Sequence, residues 1–214
     1  VQLIEKLGLK PVLLPFKPNG KPIHIKGFLD KFARTAKSTA DFLNEIAKLD
    51  MPMVGIDPAL VLCYRDEYAE VLGGARGDFH VQLANEWLLD AIESVPKLAM
   101  KSDCETDTEF TWFSHCTEST AKPNTANEWK DIFEHFGAKL NTVSLGCCGM
   151  AGTYGHEAEN LQRSKTLYQM SWEQTLAKLP QSQVLISGYS CRSQVKRFSG
   201  FKPKHPIEAL LKLL

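Results

Sequence analysis

The sequence predicts an α/β fold built from two pseudo-repeated α/β units, parallel sheets flanked by helices, with the first unit truncated at its N-terminus. Two observations lead there. Short β-prone runs alternate with longer runs of helical spacing, the pattern of parallel strands joined by crossover helices. The stretch LGLKPVLLP (7–15) also matches FGAKLNTVS (136–144), each a helix end with Gly, then Lys, then a strand. Downstream of both, the elements match in order and length over about 60 residues. A chain of 214 residues, 43% apolar, can bury one sizeable core or two small ones.

KPVLLP (10–15) reads as a short strand, and GFLDKFARTAKSTADFLNEIAKL (27–49) carries Phe28, Phe32, Phe42, Leu43 and Ile46 at helical spacing. MVGI (53–56) is a buried strand. Asp57 with Pro58 in the first turn opens a helix over 58–72. VQLANEWLLDAI (81–92) reads as helix, TEFTWFSH (108–115) as strand, NEWKDIFEHF (127–136) as helix and AKLNTVSL (138–145) as strand. A glycine-rich loop comes next, then a long helix (157–179), a strand (183–188), and helices over 190–198 and 206–214. The strand and helix over 108–136 precede Gly137 in the second unit and have no counterpart ahead of Gly8, and Val1 falls within a helix-like pattern. We therefore expect a piece of a longer protein, divided into residues 1–100, a degenerate first repeat without a cysteine site, and 101–214, a second repeat that carries one.

Formal charge is zero, 25 basic against 25 acidic residues. That balance gives no footprint for nucleic acid or an anionic membrane surface. No run approaches the roughly 18 apolar residues of a spanning helix, and the start has no signal or transit character. Six cysteines stand at 63, 104, 116, 147, 148 and 191. A chain of this size does not need a disulfide framework, so a reduced cytosolic setting fits, where clustered thiols bind metal or do redox work.

LGCCGMAGTYGHE (145–157) places Cys147 and Cys148 side by side among glycines. In the second repeat Cys116 follows the first strand, Cys147 and Cys148 the next, and Cys191 the third. Loops leaving the carboxyl ends of parallel strands open on one edge, so four sulfurs distant in sequence can converge there. Four thiolates suit a soft centre, iron–sulfur or zinc. The glycines let adjacent ligands aim at one point and bare N–H groups toward sulfur, while Cys191 lies in the first turn of a helix, which favours a thiolate. His115, Gly149, His156 and Arg192 are candidates to line the site. Arg192, Lys196 and Arg197, with Gln194, make a basic turn suited to a carboxylate or an acidic redox partner, or equally to solvent. Cys63, on an apolar helix face, and Cys104, in a polar linker, are not expected to be ligands. The loop lacks the order of a phosphate cradle, and adjacent cysteines make a poor reversible disulfide. The corresponding loop of the first repeat, FKPNGKPIH, has no cysteine, and Leu60 stands where Cys191 would, so that repeat reads as chemically blank.

GCCGMAGTYG, with HC at 115–116 and YSC at 189–191, resembles the cysteine-rich CCG domain found in heterodisulfide reductase and in the iron–sulfur protein of glycolate oxidase. FSHCTEST, GCCGMAGTYGHE, GYSCRSQVKR and GIDPALVLCYRDEY together are similar to the C-terminal part of large bacterial FAD-linked oxidases of the D-2-hydroxyacid dehydrogenase type, which act on D-lactate or D-2-hydroxyglutarate. The resemblance covers essentially the whole chain. It implies an oxidoreductase in which an upstream flavin domain, holding FAD, and ferredoxin-type clusters precede this region. It also implies a cytoplasmic protein, peripheral to the inner membrane only through an unknown electron acceptor, and an isolated fragment without dehydrogenase turnover. Carried over by position, Cys116, Cys147, Cys148 and Cys191 match the family's ligands, whereas Gly188 replaces the first Cys of its final C-x-x-C. Four sulfurs imply a [4Fe–4S] cluster or a zinc; a structural zinc or docking module is the alternative without redox function.

Overall fold

In the computed structural model, which describes residues 1–94 and 109–214, helix α1 (Gln2–Lys6) ends against Leu7 and Gly8, and α2 (Lys21–Ile25) and α3 (Leu29–Ala47) lead to strand β1 (Met53–Gly55). Helices α4 (Pro58–Arg65) and α5 (Glu67–Leu72) and a 3₁₀ turn (Gly73–Arg76) precede β2 (Val81–Leu83) and α6 (Ala84–Ser94). Then come β3 (Glu109–Phe113), α7 (Cys116–Ala121), α8 (Thr125–His135) and β4 (Lys139–Val143). Two 3₁₀ turns, Tyr154–His156 and Ala158–Asn160, open α9 (Leu161–Leu176), followed by β5 (Val184–Ile186), α10 (Tyr189–Ser199) and α11 (Pro206–Leu213). Cys104 and the boundary expected near residue 100 lie outside the described residues.

The strands form two parallel sheets, β1–β2 and β4–β3–β5, so the α/β class read from the sequence holds. The sheets repeat each other beyond the stretch the sequence matches. Val54 of β1 pairs with Gln82, and Leu185 of β5 bridges in parallel to Lys204; in each case a helix, α6 or α11, starts two residues later. Gly8 and Gly137 both close a helix at φ near +70°, 77° and 69°.

Three elements differ from the sequence reading. Residues 10–15 form no strand: Pro11 and Pro15 lack the N–H a ladder needs, and among the described residues β1 is paired only with β2. The expected helix over 81–92 begins as a strand, with Val81 and Leu83 buried and Gln82 half-buried, an alternation hidden by the helical spacing behind it. The helix over 58–72 is divided at Asp66, which ends α4 and opens α5.

One core cluster lies under β1, packing Phe32, Ala36, Ala40 and Leu43 of α3 against Val61, Cys63, Tyr68 and Phe79. Another lies between β3, β5, α9 and α10, with Phe113, Tyr168, Trp172, Ile186 and Val195. The largest joins the two halves: Leu3 and Leu7 of α1 and Leu88 and Ile92 of α6 pack with Trp112, Trp129, Ile132, Phe133 and Leu210.

Candidate metal centre

Phe113 pairs with both Val143 and Ile186, so β3, β4 and β5 end level. Cys116, Cys147 and Cys191 follow these ends by three, four and five residues, which puts every candidate sulfur on the carboxyl rim of one sheet. Cys116 is the exposed first residue of α7; Cys147 is half-buried; Cys148 and Cys191 are buried, at 4% and 1% exposure. The thiols of Cys147, Cys148 and Cys191 are electrostatic neighbours in a chain, with Cys148 in the middle. Cys116 stands outside that chain, and among the described residues no three His, Cys, Asp or Glu side chains are close enough together to hold a metal ion.

The loop that presents the paired cysteines is lashed down at each end. Trp172 Nε1 donates to the Gly146 carbonyl (2.8 Å), Gln194 Nε2 to the Cys148 carbonyl (2.9 Å) and to Ser164 Oγ (2.7 Å), and Ser164 Oγ to the Gly149 carbonyl (2.8 Å). Arg197 of the basic turn donates to the Gly155 carbonyl, which ties α10 to the loop rather than leaving it a free solvated face. Gly149 has φ +87°, and a Cβ there would stand 2.2 Å from the Ser164 carbonyl oxygen, so no other residue fits. Its N–H points to Cys147 Sγ at 3.3 Å. The first half of the chain covers the loop too: Ile25 of α2 lies where a Cβ on Gly152 would reach, and Lys26 Nζ bonds Glu157 at 2.5 Å.

The Cys147 and Cys148 thiols both titrate above their ordinary range. The bond to Cys148 and then burial push the Cys147 thiol well above its ordinary range, against N–H groups of Gly149 and Ala151 that pull it down. Cys148 is favoured as thiolate by its bond with Cys147, but its bond with Cys191, burial and the nearby Cys191 charge outweigh this and raise it. A soft cation would reverse the balance by taking the thiolates' charge and releasing the protons. Sulfurs on one rim with a backbone N–H aimed at them have the donor chemistry of a sulfur-ligated centre, though as placed they are not gathered around one point.

His115, buried before Cys116, caps α7: Nδ1 accepts from Thr117 N–H at 3.3 Å, which leaves the proton on Nε2, 3.2 Å from Ser190 Oγ. Burial holds its pKa below the ordinary value, partly offset by Asp57. Its ring also explains the glycine at 188: a Cβ there would lie 2.3 Å from His115 Cδ2. Glu118, 1% exposed, accepts from Ser187 Oγ at 2.6 Å and His115 N–H at 3.2 Å, and burial raises its carboxyl to about 7. His156 is exposed and only ends a 3₁₀ turn. Arg192 reaches Glu208 at 3.9 Å, its Nε buried without a partner. Cys63 is fully buried in the β1 core, its thiol pushed up to about 11 by burial.

Asp57 is the residue sequence reading missed. Its Oδ1 caps α4 through the Ala59 and Leu60 N–H groups, as the Asp-Pro pair signals, while Oδ2 accepts from Tyr189 N–H at 2.9 Å. It thereby caps α10, the helix carrying Cys191, whose own N-cap is the side-chain-less Gly188. Asp57 thus brings a carboxylate of the first half to the rim of the second. No sequence signal marks a contact made over so long a separation.

The chain is 58% identical over all its 214 residues to a D-2-hydroxyglutarate dehydrogenase of Escherichia coli, and 42% identical over 99% of its length to one of Pseudomonas putida; in each case it spans 20% of the relative. It is 25% identical, over 91% of its length and 49% of the relative, to one of the subunits of the anaerobic glycerol-3-phosphate dehydrogenase of Escherichia coli. The chain thus spans about one fifth of the length of the D-2-hydroxyglutarate dehydrogenases it matches. No family model and no solved structure matches it.

Proposed function

We propose that the chain is the cysteine-rich portion of an FAD-linked D-2-hydroxyacid dehydrogenase, that D-2-hydroxyglutarate is the substrate of the whole protein, and that Cys116, Cys147, Cys148 and Cys191 hold a [4Fe–4S] cluster. The likeness to D-2-hydroxyglutarate dehydrogenases along the full chain supports the first two parts. The observation that carries the third is that Cys116, Cys147, Cys148 and Cys191 all follow the level carboxyl ends of β3, β4 and β5, with the Gly149 N–H directed at Cys147 Sγ. Bound there, a cluster supplies one-electron transfer. The chain's own residues do the rest: Gly149, Met150 and Ala151 N–H groups offset thiolate charge, Gln194 and Ser164 fix the loop, and burial keeps water from Cys148 and Cys191. The reading assigns hydride removal from the hydroxyacid to the flavin portion, and further electron carriers to the rest of the protein.

The test is iron, sulfide and zinc analysis with visible and EPR spectra on the whole protein purified without oxygen. Wild type should carry iron and sulfide beyond the ferredoxin-type clusters, and Cys148→Ser and Cys191→Ser should each lose about four iron atoms, the content of one such cluster, while Cys63→Ser loses none. One zinc per chain lost with the same substitutions would favour a structural zinc module, the reading that four rather than five sulfurs also allows. Unchanged metal content in both variants would reject the site.

A further inference from the structure

In the second half, β3 lies between β4 and β5; in the first half, among the described residues, no strand lies between residues 10–15, the counterpart of β4, and β1, the counterpart of β5. One edge of β1 is paired with β2, and among the described residues the other has no strand partner. A cavity of about 210 Å³ lies against β1, lined by Leu14, Met53, Gly55, Leu60, Tyr64 and Val81 of β2 among others. Its position follows from register. Phe113 of β3 is the common partner of Val143 and Ile186, and the repeat sets Leu14 against Val143 and Gly55 against Ile186. The cavity is therefore where a counterpart of Phe113 would stand. An apolar cavity of about 150 Å³ already accepts benzene, so this one has room for an aromatic side chain. Around it Val12, Leu13, Phe16 and Ile56 are exposed at 65%, 80%, 89% and 55%, an apolar patch beside an unpaired strand edge, which proteins ordinarily cover.

We propose that this slot is an intramolecular docking site for a parallel β-strand of the same longer protein, drawn from the residues ahead of Val1 and inserting a large apolar side chain between Leu14 and Gly55. The relatives, about five times as long, have ample chain to supply it. The second half says where to look: β3 ends 24 residues ahead of Gly137, so a counterpart measured back from Gly8 falls roughly 20 residues before Val1. With that strand seated, residues 10–15 gain a partner on one side, and the sheet of the first half takes the order segment 10–15, docked strand, β1, β2.

The test places the photo-crosslinking residue p-benzoylphenylalanine at Leu14 in the whole protein and maps the adduct by mass spectrometry. The expected adduct lies in an apolar segment about 20 residues ahead of Val1, by the same repeat spacing. An adduct in any other part of the chain or in a second copy, or no adduct, overturns the proposal. Hydrogen exchange on the wild-type whole protein gives an independent reading. A strand paired on both edges protects consecutive amides over 53–56, whereas an open edge leaves alternate ones exchanging at the unprotected rate; the second pattern also overturns it.

Discussion

His205 shows how far a single buried side chain can set the acid response of the fold. It caps α11 through Nδ1, which accepts from Ile207 N–H at 3.2 Å, and its ring stands edge-on to Trp129 at 6.2 Å. Burial first, and then the charge of Arg192, hold its pKa down to about 3, so the folded protein keeps it neutral while the unfolded chain protonates it near 6.5. The unfolded state then binds the extra proton between those values. Stability supplied by the neutral ring is complete above about 6.5 and is lost as pH falls toward 3, at up to about 1.4 kcal/mol per pH unit. Other groups titrate in the same range, Glu118 with the opposite sign, so the clean measurement is a difference. Asn at 205 can keep the cap but cannot titrate. The unfolding free energy of His205→Asn, measured in urea, should gain on wild type steadily from pH 6.5 to pH 4. A constant difference across that range would show that the ring is protonated in the fold.

At the level of elements, two ties couple the halves at the rim. Glu86 of α6 meets Arg65 of α4, bonds Lys122 beyond α7 at 2.9 Å and accepts from Leu83 N–H at 2.9 Å; burial opposes its charge, but these partners outweigh burial and hold its pKa near 2. Asp57 joins the N-termini of α4 and α10 through one carboxylate. Asp57→Asn retains an oxygen for one helix and turns an amide N–H₂ toward the other, where a donor faces a donor. We expect a loss of about 1–2 kcal/mol in urea unfolding, the scale of a lost helix cap, with faster amide exchange at Tyr189 than in wild type. Unchanged exchange at Tyr189 would mean that α10 does not depend on the first half for its cap. The α/β class, most helices and the common rim of the cysteines were legible in the sequence, because period and strand-end position are local or topological properties. The strand at 81–83 was not, since three residues carry too little alternation to stand out before a strong helix. The strand at 10–15 was over-read, because β-propensity says nothing about whether a pairing partner is present. The Asp57 bridge was illegible for a further reason: a cap donated across 132 residues leaves no pattern in the chain.

Taken as a whole, the two halves of the molecule each hold a cluster of their own but share the largest one. Leu3, Leu7, Leu88 and Ile92 come from the first half and Trp129, Ile132, Phe133, Leu210 and Leu213 from the second, yet they form one cluster, and Leu88 has no exposed surface. Splitting the halves would return that surface to water at about 25 cal/mol for each Å², and it would also break the ties at Glu86 and Asp57. Neither half therefore keeps its full core without the other, and the two should unfold together. Tryptophan emission is suited to test this, because Trp87 reports from α6 while Trp112, Trp129 and Trp172 report from the second half. Fluorescence and far-ultraviolet circular dichroism should trace one coincident transition in urea. Leu88→Ala should move that single transition as a unit, costing about 2–5 kcal/mol as a truncation in a closed core. If the substitution instead separates an early transition from one left at the wild-type midpoint, the halves are independent bodies. The shared cluster would then be a contact surface between them, and Asp57 could not hold α10 in place once the first half had melted.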